Sequence, residues 1–264
     1  MHPERDRENS LLRVTAIVRE AGAATLRFYD GDVAVSLKAD RSPVTAADHA
    51  AHDSITQALA EWTPGIPVVS EEGELPAPAD QASLGRFWLV DPLDGTKEFL
   101  SRNGEFTVNV ALIEDGIPAM GAVYAPALDL LYTAARGMGS WKTEGALAPG
   151  RITSRAPDPG RPLVVAESRS HPSPELEAWL AGKSVARRVQ AGSSIKLCWV
   201  AEGKADVYPR FGTTMEWDVA AGDCVYRYSG VDRPRRSPLT YNKPGFRNGP
   251  FVLGLEDAGP GEDA

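Results

Sequence analysis

The stretch Trp88-Leu89-Val90-Asp91-Pro92-Leu93-Asp94-Gly95-Thr96-Lys97-Glu98-Phe99 carries more structural information than any other in the chain, because an apolar run ends there in two carboxylates and a sharp turn. Phe87 to Val90 has the apolar density of a buried strand, and Pro92 and Gly95 are expected to stop it. Asp91 and Asp94 then lie at the strand's carboxyl end. The backbone N–H groups of Gly95 and Thr96 would open a short helix, where unpaired donors and the helix dipole favour an anion. Hard oxygen ligands beside such a cradle suit Mg2+ facing a phosphate ester. A turn of Asp-Pro and Asp-Gly without any chemistry is also common, so the functional reading depends on the rest of the chain.

Two other segments add carboxylates. Val68-Val69-Ser70-Glu71-Glu72-Gly73 is a second apolar strand end that delivers adjacent acids. Glu216-Trp217-Asp218-Val219-Ala220-Ala221-Gly222 places another at the start of an expected helix. Three acidic strand or helix ends in one chain exceed what turn chemistry needs.

Around these segments the chain divides into two halves. Apolar positions from Leu11 to Leu26 predict a long first helix ending near Gly31. Ala47, Ala51, Ile55, Ala58 and Trp62 mark a second, with Thr45 and Asp48 spaced as a capping pair and Pro64-Gly65 beyond it. Residues 107–113 and 117–124 flank Asp115-Gly116 as a hairpin, and 130–134 and 139–142 extend the same antiparallel sheet. After the Pro- and Gly-rich loop around 156–162, strands near 163–166, 185–189, 204–208 and 251–253 alternate with helices near 173–181, 194–202 and 217–228. The expected halves are thus an α+β unit over 1–155, with most of the metal ligands, and an α/β unit over 156–264, with Asp218 and the substrate contacts. The tail from Gly259 to Ala264 is expected to be mobile.

The chain has 264 residues, 42% hydrophobic and 24% charged, with a net charge of -8. That is an ordinary globular composition, and it lacks the basic block a nucleic acid polymer would require. A small anionic substrate would need a local cation, which bound Mg2+ supplies. Cys198 and Cys224 stand in apolar helical contexts without metal-ligand spacing, as reduced core thiols do. The amino terminus is charged, and no apolar run approaches the ~20 residues of a membrane span. A cytoplasmic protein without an integral membrane segment is expected, and loose attachment to the cytoplasmic face of the inner membrane is compatible with that.

The Asp-Pro-Leu-Asp-Gly-Thr block at 91–96 and the later Trp217-Asp218-Val219-Ala220 block resemble the two signatures of the inositol monophosphatase superfamily, lithium-sensitive Mg2+-dependent phosphatases. Further segments are similar to its bacterial 3'(2'),5'-bisphosphate nucleotidases. They include Ser42 to Asp48, Asn103 to Asn109, Val123 to Pro126, Ser168 to His171, Gly192 to Lys196 and Tyr208 to Gly212. The resemblance covers nearly the whole chain, leaving 74–86 and 229–245 weakly placed. It implies a layered α/β/α/β/α sandwich of the sugar/inositol phosphatase type, with the active site between the halves and the chain a monomer or homodimer.

The resemblance also implies roles. Glu71, Asp91 and the Leu93 carbonyl would hold one Mg2+, and Asp91, Asp94 and Asp218 another, with Glu72 acting through a third or its water shell. Thr96 would polarise the attacking water and Asp48 orient it. Gly95 would admit the phosphate close to the backbone. Ser168, Arg169, His171, Ser193, Ser194, Lys196 and Arg210 are the polar groups that could read a nucleotide's second phosphate and ribose. Glu71, Asp94 and Asp218 would also touch substrate. Simpler readings stand beside these: Asp48 and Thr96 as helix caps, Arg210 as an ion-pair partner, His171 as a turn residue, and Lys38, near enough to reach the site, as a surface lysine. Asp223 and the Arg233 to Asn242 stretch depart from the nucleotidase pattern and put its base pocket in question.

Three other functions are compatible with parts of this pattern. An aspartyl-phosphate phosphatase places its nucleophile two residues before the second Asp of such a turn, and Pro92 stands there, unable to attack phosphorus. An inositol monophosphatase or sugar bisphosphatase remains open, although Lys97-Glu98-Phe99 favours the nucleotidase. A sensor without turnover would be expected to lack a ligand, and every expected carboxylate is present.

Overall fold

The computed structural model describes residues 3–29, 35–37, 43–155, 158, 160–170, 173–231 and 234–255. Lys38, His171 and Arg233 lie outside these residues, as do the Gly31 stop and the 259–264 tail. In chain order the elements are α1 (Pro3–Tyr29), β1 (Val35–Leu37), β2 (Pro43–Thr45), α2 (Ala46–Trp62), β3 (Val68–Ser70), α3 (Pro78–Ala82), β4 (Arg86–Asp94), α4 (Thr96–Leu100), β5 (Thr107–Glu114), β6 (Ile117–Ala125), β7 (Leu130–Ala135), β8 (Gly139–Glu144) and β9 (Gly150–Ile152). They continue with β10 (Leu163–Ser168), α5 (Pro174–Leu180), β11 (Val185–Ala191), α6 (Ile195–Ala201), β12 (Tyr208–Arg210), β13 (Thr214–Met215), α7 (Glu216–Arg227), β14 (Arg247–Asn248) and β15 (Phe251–Leu253).

Strands β3 to β9 form one seven-stranded sheet in sequence order, with β3 parallel to β4 and every later pair antiparallel. Asp115 (φ 51) and Gly116 (φ 73) close the β5–β6 hairpin, a turn that needs positive φ at both central positions. The strand period of two then sorts β4 between two cores. Trp88 and Val90 face Val14, Val18, Ile55 and Leu59 of α1 and α2. Phe87 and Leu89 face the opposite core, shared with Leu197 and Cys198 of α6, Ala220, Cys224 and Val225 of α7, and Val164, Ala166, Tyr208 and Leu253 of a second strand layer.

In that second layer β10 runs parallel to β11 and β12 antiparallel to β15, and a Val165–Val207 bridge links the two pairs. Helix α5 is tied to the outer side by the ion pair Arg188–Glu177, 2.6 Å. The order is therefore α1/α2, large sheet, α6/α7, second strand layer, α5, the expected α/β/α/β/α sandwich.

Several boundaries differ from expectation. Helix α1 starts at Pro3, well before Leu11; proline is tolerated in a first turn because its missing N–H would be unpaired there anyway. Strand β4 passes through Pro92 to Asp94 instead of stopping at it, because the β4–β5 register shifts between Asp91 and Asp94, a bulge in which proline breaks no ladder bond. The strand expected near 204–208 lies at Tyr208–Arg210, since Asp206 and Val207 are used in contacts to Val164 and Ala166.

Candidate metal and phosphate site

The β4 bulge builds the centre of the site. On a regular strand Asp91 and Asp94, three apart, would face opposite sides of the sheet. Pro92 and Leu93 stand opposite Val108 alone, and this one extra residue turns both carboxylates toward one cavity; the Leu93 N–H locks the turn by donating to Asp91 Oδ1 at 3.1 Å. Glu71 arrives from the parallel neighbour: Ser70 pairs with Val90, and the Glu71 N–H donates to the Val90 carbonyl at 3.1 Å. Asp218 comes from the first turn of α7, where the Met215 N–H donates to its Oδ2 at 2.8 Å. Carboxylate oxygens of Glu71, Asp91 and Asp218 all lie within 4.8 Å of one another.

Burial raises the Asp91 carboxyl well above its usual range, and the charges of Glu71, Asp94 and Asp218 raise it further. Asp218 is raised the same way, by burial first and then Asp94. Asp94 is pushed up to about 6 by burial, with Lys196 and the Ser194 N–H pulling back. Like charges held this close are the condition a divalent cation relieves. An all-oxygen donor set of this kind fits Mg2+.

Glu71, Asp91, Leu93, Asp94, Gly95, Thr96, Ser193, Lys196, Arg210 and Asp218 all line one cavity of about 410 Å³. Gly95 sits at φ 93, a left-handed backbone conformation that favours glycine, and opens α4. Facing the carboxylates is a cationic wall. Lys196 is buried, donates to the Ala191 carbonyl at 3.2 Å and to the Ser193 carbonyl, and is lowered to about 8, chiefly by burial. Arg210 Nε is buried without a hydrogen-bond partner among the described residues, leaving a donor for an anion. Ser194 donates to Asn109 Oδ1 at 2.7 Å and shares a hydrogen bond with Thr107 at 2.9 Å, which ties this wall to β5.

Asp48 and Glu72 stand off the cavity wall. Asp48 completes the capping box of α2, accepting from the Thr45 N–H at 2.9 Å and its hydroxyl at 2.6 Å. Neighbouring Ala47 packs with Leu93, Phe99 and Phe106, which brings the start of α2 behind the Leu93–Phe99 turn. Arg169, also off the wall, donates Nε and Nη2 to Glu105. Asp223, on α7, points into the core, accepting from Arg227 Nε and Tyr241 Oη at 2.8 Å each, and does not line the cavity. The 241–243 segment holds the start of α7: the N–H groups of Asn242 and Lys243 donate to Glu216 at 2.7 and 2.9 Å. Thr213 and Thr214 also line the cavity, although nothing local in the sequence marks them, and Tyr208, from the Tyr208 to Gly212 segment, lines it with them.

The pattern of the inositol monophosphatase family matches residues 8–250, and the chain belongs to that family. Among its relatives, the 3'(2'),5'-bisphosphate nucleotidase CysQ of Escherichia coli (strain K12) is 46% identical over 245 residues, covering 89% of this chain and 97% of the relative. CysQ of Salmonella typhimurium is 46% identical over 250 residues, covering 90% and 98%. A crystal structure of CysQ from Bacteroides thetaiotaomicron superposes with a TM-score of 0.76 at 39% identity, covering 92% of this chain and 96% of that one. An inositol monophosphatase from Thermotoga maritima, at 21% identity and a TM-score of 0.72, shares the fold.

Proposed function

We propose that this chain removes the 3'-phosphate of adenosine 3',5'-bisphosphate, releasing AMP and phosphate, as a Mg2+-dependent phosphatase of sulfur assimilation and nucleotide recycling in the cytoplasm. The observation that supports this most strongly is the cluster of Glu71, Asp91 and Asp218 facing Lys196 and Arg210 across one cavity. The nucleotide preference follows the CysQ relatives named above.

Glu71, Asp91, Asp94, Asp218 and the Leu93 carbonyl would hold two Mg2+ ions, with Glu72 assisting a third. Bound Mg2+ supplies charge neutralisation at the ester and makes water a stronger nucleophile near neutral pH. Thr96 accepts a hydrogen bond from the attacking water, and Asp48 orients Thr96 from behind the turn. Gly95 lets the phosphate oxygens approach the backbone. Lys196 and Arg210 bind the second phosphate and set its distance from the carboxylates, with Ser193 beside them. Pro92 at the position of an aspartyl nucleophile leaves direct attack by water as the route.

Catalytic efficiencies at saturating Mg2+ for adenosine 3',5'-bisphosphate, its 5'-phosphosulfate relative and inositol 1-phosphate test the proposal. The nucleotide is expected to be the better substrate. Preference for inositol 1-phosphate would overturn the nucleotidase reading, and release of phosphate from none of the three would overturn the phosphatase reading.

A further inference from the structure

Glu98 and Glu105 lie outside the trio of Glu71, Asp91 and Asp218, yet both reach from the first half of the chain to the second. Glu105, in the loop before β5, accepts from Arg169 Nε, Arg169 Nη2 and the Gly192 N–H, each at 2.8 Å. Arg169 also donates from Nη2 to the Gln190 carbonyl at 3.1 Å, and from its backbone N–H to the Ala191 carbonyl at 3.1 Å. Arg169 directly follows β10 and Gly192 directly follows β11. A single carboxylate therefore gathers the carboxyl ends of two parallel strands.

Glu98, on α4, adds a spacer. It is buried, accepts from Ser170 Oγ at 2.5 Å, and its Cγ lies 2.3 Å from where a Cβ of residue 192 would stand. Gly192 is thus the only residue type that lets the β11 end come this close. Isolated surface ion pairs contribute little. A bidentate guanidinium–carboxylate pair that shares an oxygen with a backbone N–H adds directional restraint.

The restrained segments form the cavity wall opposite the carboxylates. Ser168 adjoins Arg169, Ser193 adjoins Gly192, and both line the cavity together with Ser194 and Lys196. Open α/β layers bind ligands outside the carboxyl ends of their strands, and here that region lines the same cavity as Glu71, Asp91 and Asp218.

We infer that Glu105 is a positioning residue for leaving-group specificity: through Arg169 and Gly192 it holds the ends of β10 and β11 at a set distance from the carboxylate cluster, with Glu98 as the spacer. This rests on the phosphatase reading of the cavity and not on which ester is preferred.

The test measures kcat and KM at saturating Mg2+ for Glu105→Gln, Arg169→Gln and the double variant, on adenosine 3',5'-bisphosphate and inositol 1-phosphate, with thermal melts of each protein. Arg169 is 43% exposed at its side chain, so its replacement does not open the core. Discrimination between the two esters is expected to fall about tenfold in each single variant, through KM of the preferred ester, with no further fall in the double variant. Gly192→Ala, which displaces Glu98, is expected to give the same KM-led loss. Equal losses on both esters, a fall in kcat at constant KM, or losses that multiply in the double variant would overturn the inference. If the wild-type protein prefers inositol 1-phosphate, the nucleotide reading fails, and the inference is then judged on that preference: erased by Glu105→Gln it stands, intact it falls.

Discussion

Asp91 illustrates how a single side chain can oppose stability and serve function. Its carboxyl is raised first by burial and then by three like charges. A carboxyl whose folded pKa exceeds its ordinary value of 3.8 binds its proton more tightly in the folded state. Its ionisation therefore costs stability that is present in full above the folded pKa and is relieved as pH falls through that pKa toward 3.8. Asp91→Asn is expected to melt at or above wild type without metal, and to gain much less melting temperature from Mg2+. Its turnover should drop by ~1,000-fold or more, about 4 kcal/mol of barrier. Near wild-type turnover in a folded variant would remove Asp91 from the metal site. Lys196 gives a second expectation. Held at about 8, it loses its charge as pH rises through that value. KM for an anionic ester should climb on the alkaline side, and Lys196→Met should show a high KM with that limb flattened. An unchanged limb in the variant would assign the titration elsewhere. Glu71, Asp91 and Asp94 were legible because they stand at the ends of apolar runs, and Asp218 because it opens an amphipathic helix. The Glu105–Arg169 pair was not, since its partners stand 64 positions apart and each alone looks like an ordinary surface charge.

At the scale of elements, the site depends on how closely α7 approaches the large sheet. Gly121 of β6 makes that approach possible: a Cβ there would lie 2.8 Å from Cys224 Cβ and 3.1 Å from the Ala221 carbonyl oxygen. The second of these is helix backbone and cannot rotate away. Gly121→Ala is expected to cost about 1–3 kcal/mol of stability by overpacking. It should also raise the Mg2+ concentration for half-maximal activity, because α7 carries Asp218; denaturant melts and a Mg2+ titration check the two effects, and an unaltered Mg2+ requirement would detach Asp218 from the position of α7. Helices and the central hairpin were readable from periodicity and the Asp115-Gly116 turn. The path of β4 through Pro92 was not, because proline is a strand breaker unless a bulge, set by the neighbouring strand, makes room for it. Strands β13 and β14 are two residues each, too short to display alternation.

At the scale of the molecule, hydrophobic pattern identifies which face of an element is buried but not against what. Val164 and Phe87 look alike as buried strand residues, yet they come from different strand layers and share one core. The α/β/α/β/α order was therefore reached through family resemblance and not through periodicity. Helix α7 is the middle of that order, with the large sheet on one side and contacts to α6 and the second strand layer in the same core. Because Asp218 rides on this helix, chain order and site assembly are linked during biosynthesis. Glu71, Asp91 and Asp94 leave the ribosome more than a hundred residues before Asp218 does, so a nascent or truncated product carries an open set of the clustered acids, and the proposed hydrolytic centre would be completed only when the last-made third of the chain docks.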